Sequence, residues 1–260
     1  MNTKTMKVFS LPLMILIASI FAVPLCAQTA TVKEKPPMYS YVGNWTIPRA
    51  QWSEMDKSVA ADQKTLEQAV ANGTLVGFGN DRNLVHQPEG YTHDDWWSSM
   101  SMAGLLNVLD QFQKSGSSVS PVLSTATKHM DSIYVSRYYN WRSGSAKDAY
   151  THVAYYRLKA DAPTDSLDTL SKNLFVPLFE KLLADGTILE YEIDTEAIHN
   201  EAPGAFWIVY ISQTAEGLDK ASAARLEAQR AAPLGGPAFG SLVDIVPHRD
   251  FLSRTNVTYK

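Results

Sequence analysis

The sequence predicts an α+β fold built from two tandem copies of one β-α-β-β-α-β unit. Two observations predict it. The first is an echo: "ANGTLVGFGNDRNLVH" (71–86) aligns without a gap to "ADGTILEYEIDTEAIH" (184–199), 113 residues further on (184 − 71). Five of the sixteen paired positions are identical: Ala71/Ala184, Gly73/Gly186, Thr74/Thr187, Asp81/Asp194 and His86/His199. The second is that the same succession of patterns surrounds each copy, which is the test of a true repeat.

In the first copy, "SYVGNWTI" reads as a strand. Trp52, Met55, Val59, Leu66 and Val70 then recur at roughly helical spacing. That helix stops at Asn72-Gly73, a usual C-terminal signal, and the echoed stretch follows as the second strand. "DDWWSSMSM" reads as the third strand, "AGLLNVLDQF" as the second helix and "DSIYVSRYYNW" as the closing strand. "RSGSAKDA" is small and polar and reads as a linker.

In the second copy, "HVAYYRLKA" is the first strand, and Leu167, Leu170, Leu174, Leu178 and Leu182 mark the first helix. Pro177 should kink or split that helix, because proline removes a backbone donor and clashes with the preceding turn. Asp185-Gly186 ends it, and the echo supplies the second strand. "GAFWIVYIS", "EGLDKASAARLEAQ" and "GSLVDIVPH" complete the unit. The expected repeats are residues 39–142 and 150–258, with linkers at 31–38 and 143–149.

This order is that of the ferredoxin-like split unit, in which two helices cover one face of a four-stranded antiparallel sheet. The other face is left bare, and two copies in one chain can cover it by packing sheet on sheet. The pattern resembles the dimeric α+β barrel superfamily, here with both halves fused. The resemblance implies a pseudo-dimeric α+β barrel. The superfamily includes monooxygenases of antibiotic biosynthesis, haem-degrading enzymes and many proteins without known activity, so the fold does not select a reaction.

The first 30 residues have the form of a secretory signal peptide: Lys4 and Lys7, an apolar run, then "CAQTA". Cleavage is expected after Ala27 or Ala30, giving an exported, periplasmic or extracellular protein. Cys26 is the chain's single cysteine, and Leu25 stands where lipoprotein processing wants a small residue. The folded part therefore has no disulfide, thiolate nucleophile or cysteine metal site. About 230 residues suffice for a self-sustaining core. The net charge is −4, or −6 without Lys4 and Lys7 (−4 − 2), which argues against nucleic acid as partner. The expected chain is a monomer or weak homodimer with no membrane contact beyond the signal peptide.

Candidate sites follow from strand alternation. On the echoed strands, one face carries Val76 and Phe78 in the first copy and Leu189, Tyr191 and Ile193 in the second, and should meet the helices. The other carries Leu75, Gly77 and Gly79 against Ile188, Glu190 and Glu192, and should face the opposite sheet. Glu190 and Glu192 would sit roughly 7 Å apart on one face. Buried together, at least one would have a raised pKa and could serve as acid or base. Glycines across from carboxylates would make an asymmetric pocket.

Strand aromatics supply a second set, Trp45, Trp97, Tyr156 and Trp207 above all, with Arg157 beside them. An aromatic-lined cavity with few polar groups suits a small hydrophobic or aromatic ligand. His86 and His199 hold equal places in the two copies, as structural markers or as a paired ligand site. His93, Asp94 and Asp95 alternate along a strand and cannot all face one ion, so no metal is assigned. Asn44, Trp45 and Trp97 resemble part of the Asn–Trp–His set of haem-degrading members, but no histidine follows on the second helix. That activity is not carried over, and no motif names a cofactor. Phosphate-loop, Gly-x-Ser-x-Gly and His-Glu-x-x-His motifs are absent. Two functions fit: a small-molecule-binding protein or cofactor-independent enzyme, or a non-catalytic envelope or stress-related protein. A cavity holding Glu190, Glu192 or an arginine separates the first from the second.

Overall fold

A computed structural model describes residues 32–86, 90–117, 120–231 and 235–260. The expected signal peptide and Cys26 lie outside the described residues. The first unit comprises β1 (Met38–Thr46), α1 (Trp52–Ala71), β2 (Gly77–Asn83), β3 (His93–Ser99), α2 (Met102–Ser115) and β4 (Lys128–Trp141). The second comprises β5 (Gly144–Leu158), α3 (Ser166–Leu170), α4 (Val176–Ala184), β6 (Glu190–Glu196), β7 (Ala205–Ser212), α5 (Ala215–Ala231), α6 (Gly235–Leu242) and β8 (Val243–Tyr259).

The eight strands close into one barrel in the order β1-β3-β2-β8-β5-β7-β6-β4. Every neighbouring pair is antiparallel. Each copy contributes four adjacent strands, and the two sheets join at the seams β2–β8 and β4–β6. Strands β2 and β6 lie half a barrel apart and run in the same direction. The expected sheet-on-sheet packing is thus realised as full closure, which leaves no edge strand exposed.

Helices cover the outside. Leu105, Val108 and Phe112 of α2 pack with Phe78 and Trp97 of the first sheet. Phe179, Leu182 and Leu183 of α4 pack with Tyr191, Phe206 and Ile208 of the second. The helix expected to kink or split at Pro177 stays continuous from Ser166 to Ala184 but changes its winding just before the proline. A π-turn at Ser171–Phe175 joins α3 to α4, and Pro177 sits in the first turn of α4.

The repeat reaches further than the echoed strand. Thr74 N–H donates to Asn72 Oδ1, as Thr187 N–H donates to Asp185 Oδ1. Ser99 Oγ donates to the Thr74 carbonyl, as Ser212 Oγ donates to that of Thr187. Gly104 N–H is capped by Ser101 Oγ, as Gly217 N–H is by Thr214 Oγ1. Each pair of equivalents keeps the offset of the echo.

Three expectations are corrected. The polar stretch 144–149 is the start of β5, not a linker; a bulge centred on Asp148 (φ 52°) lets it pair with the end of β8. The closing strand of the second copy runs to Tyr259, well past His248, and α6 precedes it. Leu75 and Ile188 pack with the helices, and Leu189 with the barrel end. These three residues precede their strands, where pleat alternation does not apply.

Candidate functional site

Inside the barrel is a cavity of about 340 Å³. Alternation builds it. Strand β6 turns Glu190, Glu192 and Asp194 inward, and β2, opposite, turns in Asp81 and Asn83. Strand β3 adds Asp94 and Trp96, and β7 adds Trp207, Val209 and Ile211. Arg249 and Glu201 stand among its lining residues, and Arg249 is exposed.

Gly77 and Gly79 do line the inner face of β2, across from Glu190 and Glu192. They do not leave open space. A Cβ on Gly77 would lie 2.4 Å from the Tyr259 ring, and one on Gly79 would lie 2.5 Å from Trp96. The missing side chains admit these two aromatics, which wall the cavity opposite β6. A bulky residue at Gly77 would therefore displace Tyr259 and disturb the wall itself.

The cavity is acidic and poorly neutralised. Asp81 accepts hydrogen bonds from Trp96 Nε1 (2.9 Å) and Thr151 Oγ1 (2.8 Å). Burial still pushes its pKa up to about 6. Burial pushes Glu192 up to about 7. Burial, followed by the charge of Asp81, holds Asp94 well above the carboxylate range. Asp194 is raised by burial and then by Glu192, and Glu190 by burial and then by Glu192. Glu190 is 2% exposed; the Tyr259 side chain is close enough to ease its charge, but neither carboxyl oxygen makes a well-formed hydrogen bond. Asp194 Oδ1, in a side chain 3% exposed, likewise lacks one. Such atoms are costly unless protonated or met by a ligand.

The expected residues divide between the two faces of the barrel wall. Glu190, Glu192, Gly77, Gly79 and Trp207 are on the inner face. Trp207 packs against Tyr134 and Tyr155. Arg157 donates to Tyr155 Oη, so it braces one cavity aromatic. Trp45, Trp97 and Tyr156 are on the outer face, against helices. Trp45 stacks on His129, Trp97 on Tyr41, and Tyr156 on His248. Odd and even strand positions point oppositely, and these three fall on the wrong parity. Asn44 faces inward while its neighbour Trp45 faces outward, so the partial haem-degrading set is not assembled.

His86 and His199 also stay outside the cavity. His86 is exposed and meets the edge of Trp52. His199 is exposed beside Glu196 and Gly204. Both follow parallel strands on opposite sides of the barrel, so they share an end without converging. His93 is turned to Trp52, Asp94 to the cavity and Asp95 to the helices, where burial raises Asp95 to about 7.

Two groups were missed. Asp81, Asp194 and Glu201 join the cavity acids, as does Asp94, which the sequence offered only as a metal ligand, and the identity of Asp81 and Asp194 in the echo was the signal for that pair. On the outer face, Asp250 bridges His152 (3.5 Å) and His248 (3.2 Å). That cluster joins β5 to the part of β8 left unread as strand. No group of three His, Cys, Asp or Glu is placed to hold a metal ion among the described residues.

No family model matches the chain, and no curated protein matches it. Solved structures do. A monooxygenase-like protein from Lactobacillus acidophilus NCFM superposes with a TM-score of 0.59 at 11% identity, over 86% of this chain and 97% of the other. An anthrone oxidase-like protein gives 0.54 at 9% identity, over 87% and 94%. A chlorite dismutase-like protein gives 0.50 at 12% identity, over 84% and 94%. Likeness at such identities is a likeness of fold.

Proposed function

We propose that this chain, a dimeric α+β barrel with both halves in one polypeptide, binds a small organic molecule inside its barrel. The observation that carries the reading is Glu190: fully buried, facing a 340 Å³ cavity, with neither oxygen in a well-formed hydrogen bond. A filled barrel would have favoured the non-catalytic envelope role. Glu190 and Glu192 are the acid–base pair in this reading. Burial raises Glu190 well above its ordinary value and Glu192 only to about 7, so near neutrality Glu190 keeps a proton to donate to a ligand atom while the ionised fraction of Glu192 can accept one. Trp207 and Trp96 supply flat apolar wall. Gly77 and Gly79 act only by admitting Tyr259 and Trp96, and Arg157 by bracing Tyr155. The anthrone oxidase-like and monooxygenase-like neighbours lend support for an organic substrate. The signal-peptide pattern supports action outside the cytoplasm.

The test is tryptophan fluorescence. Trp96 and Trp207 line the cavity, so an entering aromatic ketone or phenol should quench emission saturably. Val209→Trp fills the cavity from β7 and should abolish that saturable component in a folded variant. Equal saturable quenching in Val209→Trp would refute the interior site.

A further inference from the structure

We propose that the ligand of the barrel interior is an organic cation with two or more amines, of the aliphatic diamine or polyamine class. The proposal rests on the reading that the interior is the ligand site, and names what enters it.

Six carboxyl side chains line the cavity: Asp81, Asp94, Glu190, Glu192, Asp194 and Glu201. Arg249 is the one Lys or Arg among the described lining residues, and its guanidinium donates to the His248 carbonyl. Burial holds these acids protonated while the cavity is empty, and a cation that displaces their protons is their natural complement.

The form of the cation follows from how the acids are placed. Glu190, Glu192 and Asp194 stand in a row on one face of β6, roughly 7 Å from one to the next. A metal ion needs its donors gathered about a point, and no such gathering exists among the described residues. An elongated molecule with ammonium groups spaced by a few methylenes can meet a row. The oxygens of Glu190 and Asp194 that lack a well-formed hydrogen bond are the acceptors still open to N–H donors. Between the acids, Trp96, Trp207 and Tyr155 offer ring faces for ammonium groups and apolar cover for methylenes.

Isothermal titration of the full chain with spermidine and putrescine tests this, against a neutral diol of similar length and against magnesium chloride at equal ionic strength. Spermidine should bind saturably near one per chain, and the diol and magnesium should not. Glu190→Gln combined with Asp194→Asn should weaken spermidine at least tenfold. This variant removes buried acids, and circular dichroism confirms its fold. Spermidine binding unchanged in that variant, or unchanged in Val209→Trp, would place the amine on the surface and overturn the proposal. Magnesium binding as well as spermidine would reduce it to unspecific charge attraction and overturn it too. A neutral aromatic that binds and is blocked by Val209→Trp, with no amine binding, would retain the interior site and reject the cation. Failure of both would reject the interior site itself.

Discussion

Asp81 and Asp194 occupy the same place in two copies of one sentence, and both turn into the barrel. Their neighbours toward the strand starts differ: Gly77 and Gly79 on one side, Glu190 and Glu192 on the other. The shared aspartates make the cavity acidic from both walls, and the differences make it lopsided. This was half legible in the sequence. Alternation placed Glu190 and Glu192 on the inner face, because period two leaves a strand residue no third choice. It could not show that Tyr259 and Trp96 fill the space over the glycines, since both contacts depend on strand register and Tyr259 comes from the far end of the chain. The sign of the pH dependence belongs to this scale. Asp81 binds its proton more tightly when folded, with a pKa of about 6. Its contribution is complete below the unfolded value and is lost as pH rises through 6, at a cost of about 3 kcal/mol. His93 works the other way: burial lowers it to about 4, so its contribution fades on acidification. Comparison with Asp81→Asn isolates the aspartate. The melting temperature of the wild type minus that of Asp81→Asn should fall between pH 4 and pH 7. A difference that is flat or rises over that range would contradict the burial of a protonatable Asp81.

At the scale of elements, the helix starts carry the duplication most tightly. Gly104 and Gly217 each let a helix press on the turn that ends its partner helix. A Cβ on Gly217 would lie 1.9 Å from Ser212 Oγ and 2.8 Å from the Thr187 carbonyl; on Gly104 it would lie 2.4 Å from Ser99 Oγ and 3.0 Å from the Thr74 carbonyl. Helix propensity alone favours alanine over glycine by about 1 kcal/mol. The contacts reverse this. Gly217→Ala should destabilise by about 1–3 kcal/mol and Gly104→Ala by less. Urea midpoints check the order, and a higher midpoint for Gly217→Ala would contradict the close packing. The elements themselves were largely readable. Helical leucine spacing and the irregularity at Pro177 came directly from local sequence. The length of β8 did not, because its inner positions mix polar Arg249, Ser253 and Thr255 with Phe251, Val257 and Tyr259 and blur the usual apolar alternation. The start of β5 was hidden likewise: "GSAKDA" has loop composition, and only its pairing with β8 makes it a strand. Trp45, Trp97 and Tyr156 were attractive as aromatics, yet their parity already placed them under the helices.

For the whole molecule, fusion of two copies has a chemical consequence. A symmetric dimer would place identical side chains on both walls of the barrel. Here one wall bears bare glycines roofed by aromatics, and the other bears a row of acids. Closure through the seams β2–β8 and β4–β6 sets these walls face to face around an acidic space. The central claim is that this space is a ligand site. Native mass spectrometry of the protein purified from its own source tests it most directly. The wild type should carry a reproducible small-molecule adduct that Val209→Trp lacks. A wild type with no adduct, or the same adduct on the filled-barrel variant, would contradict it.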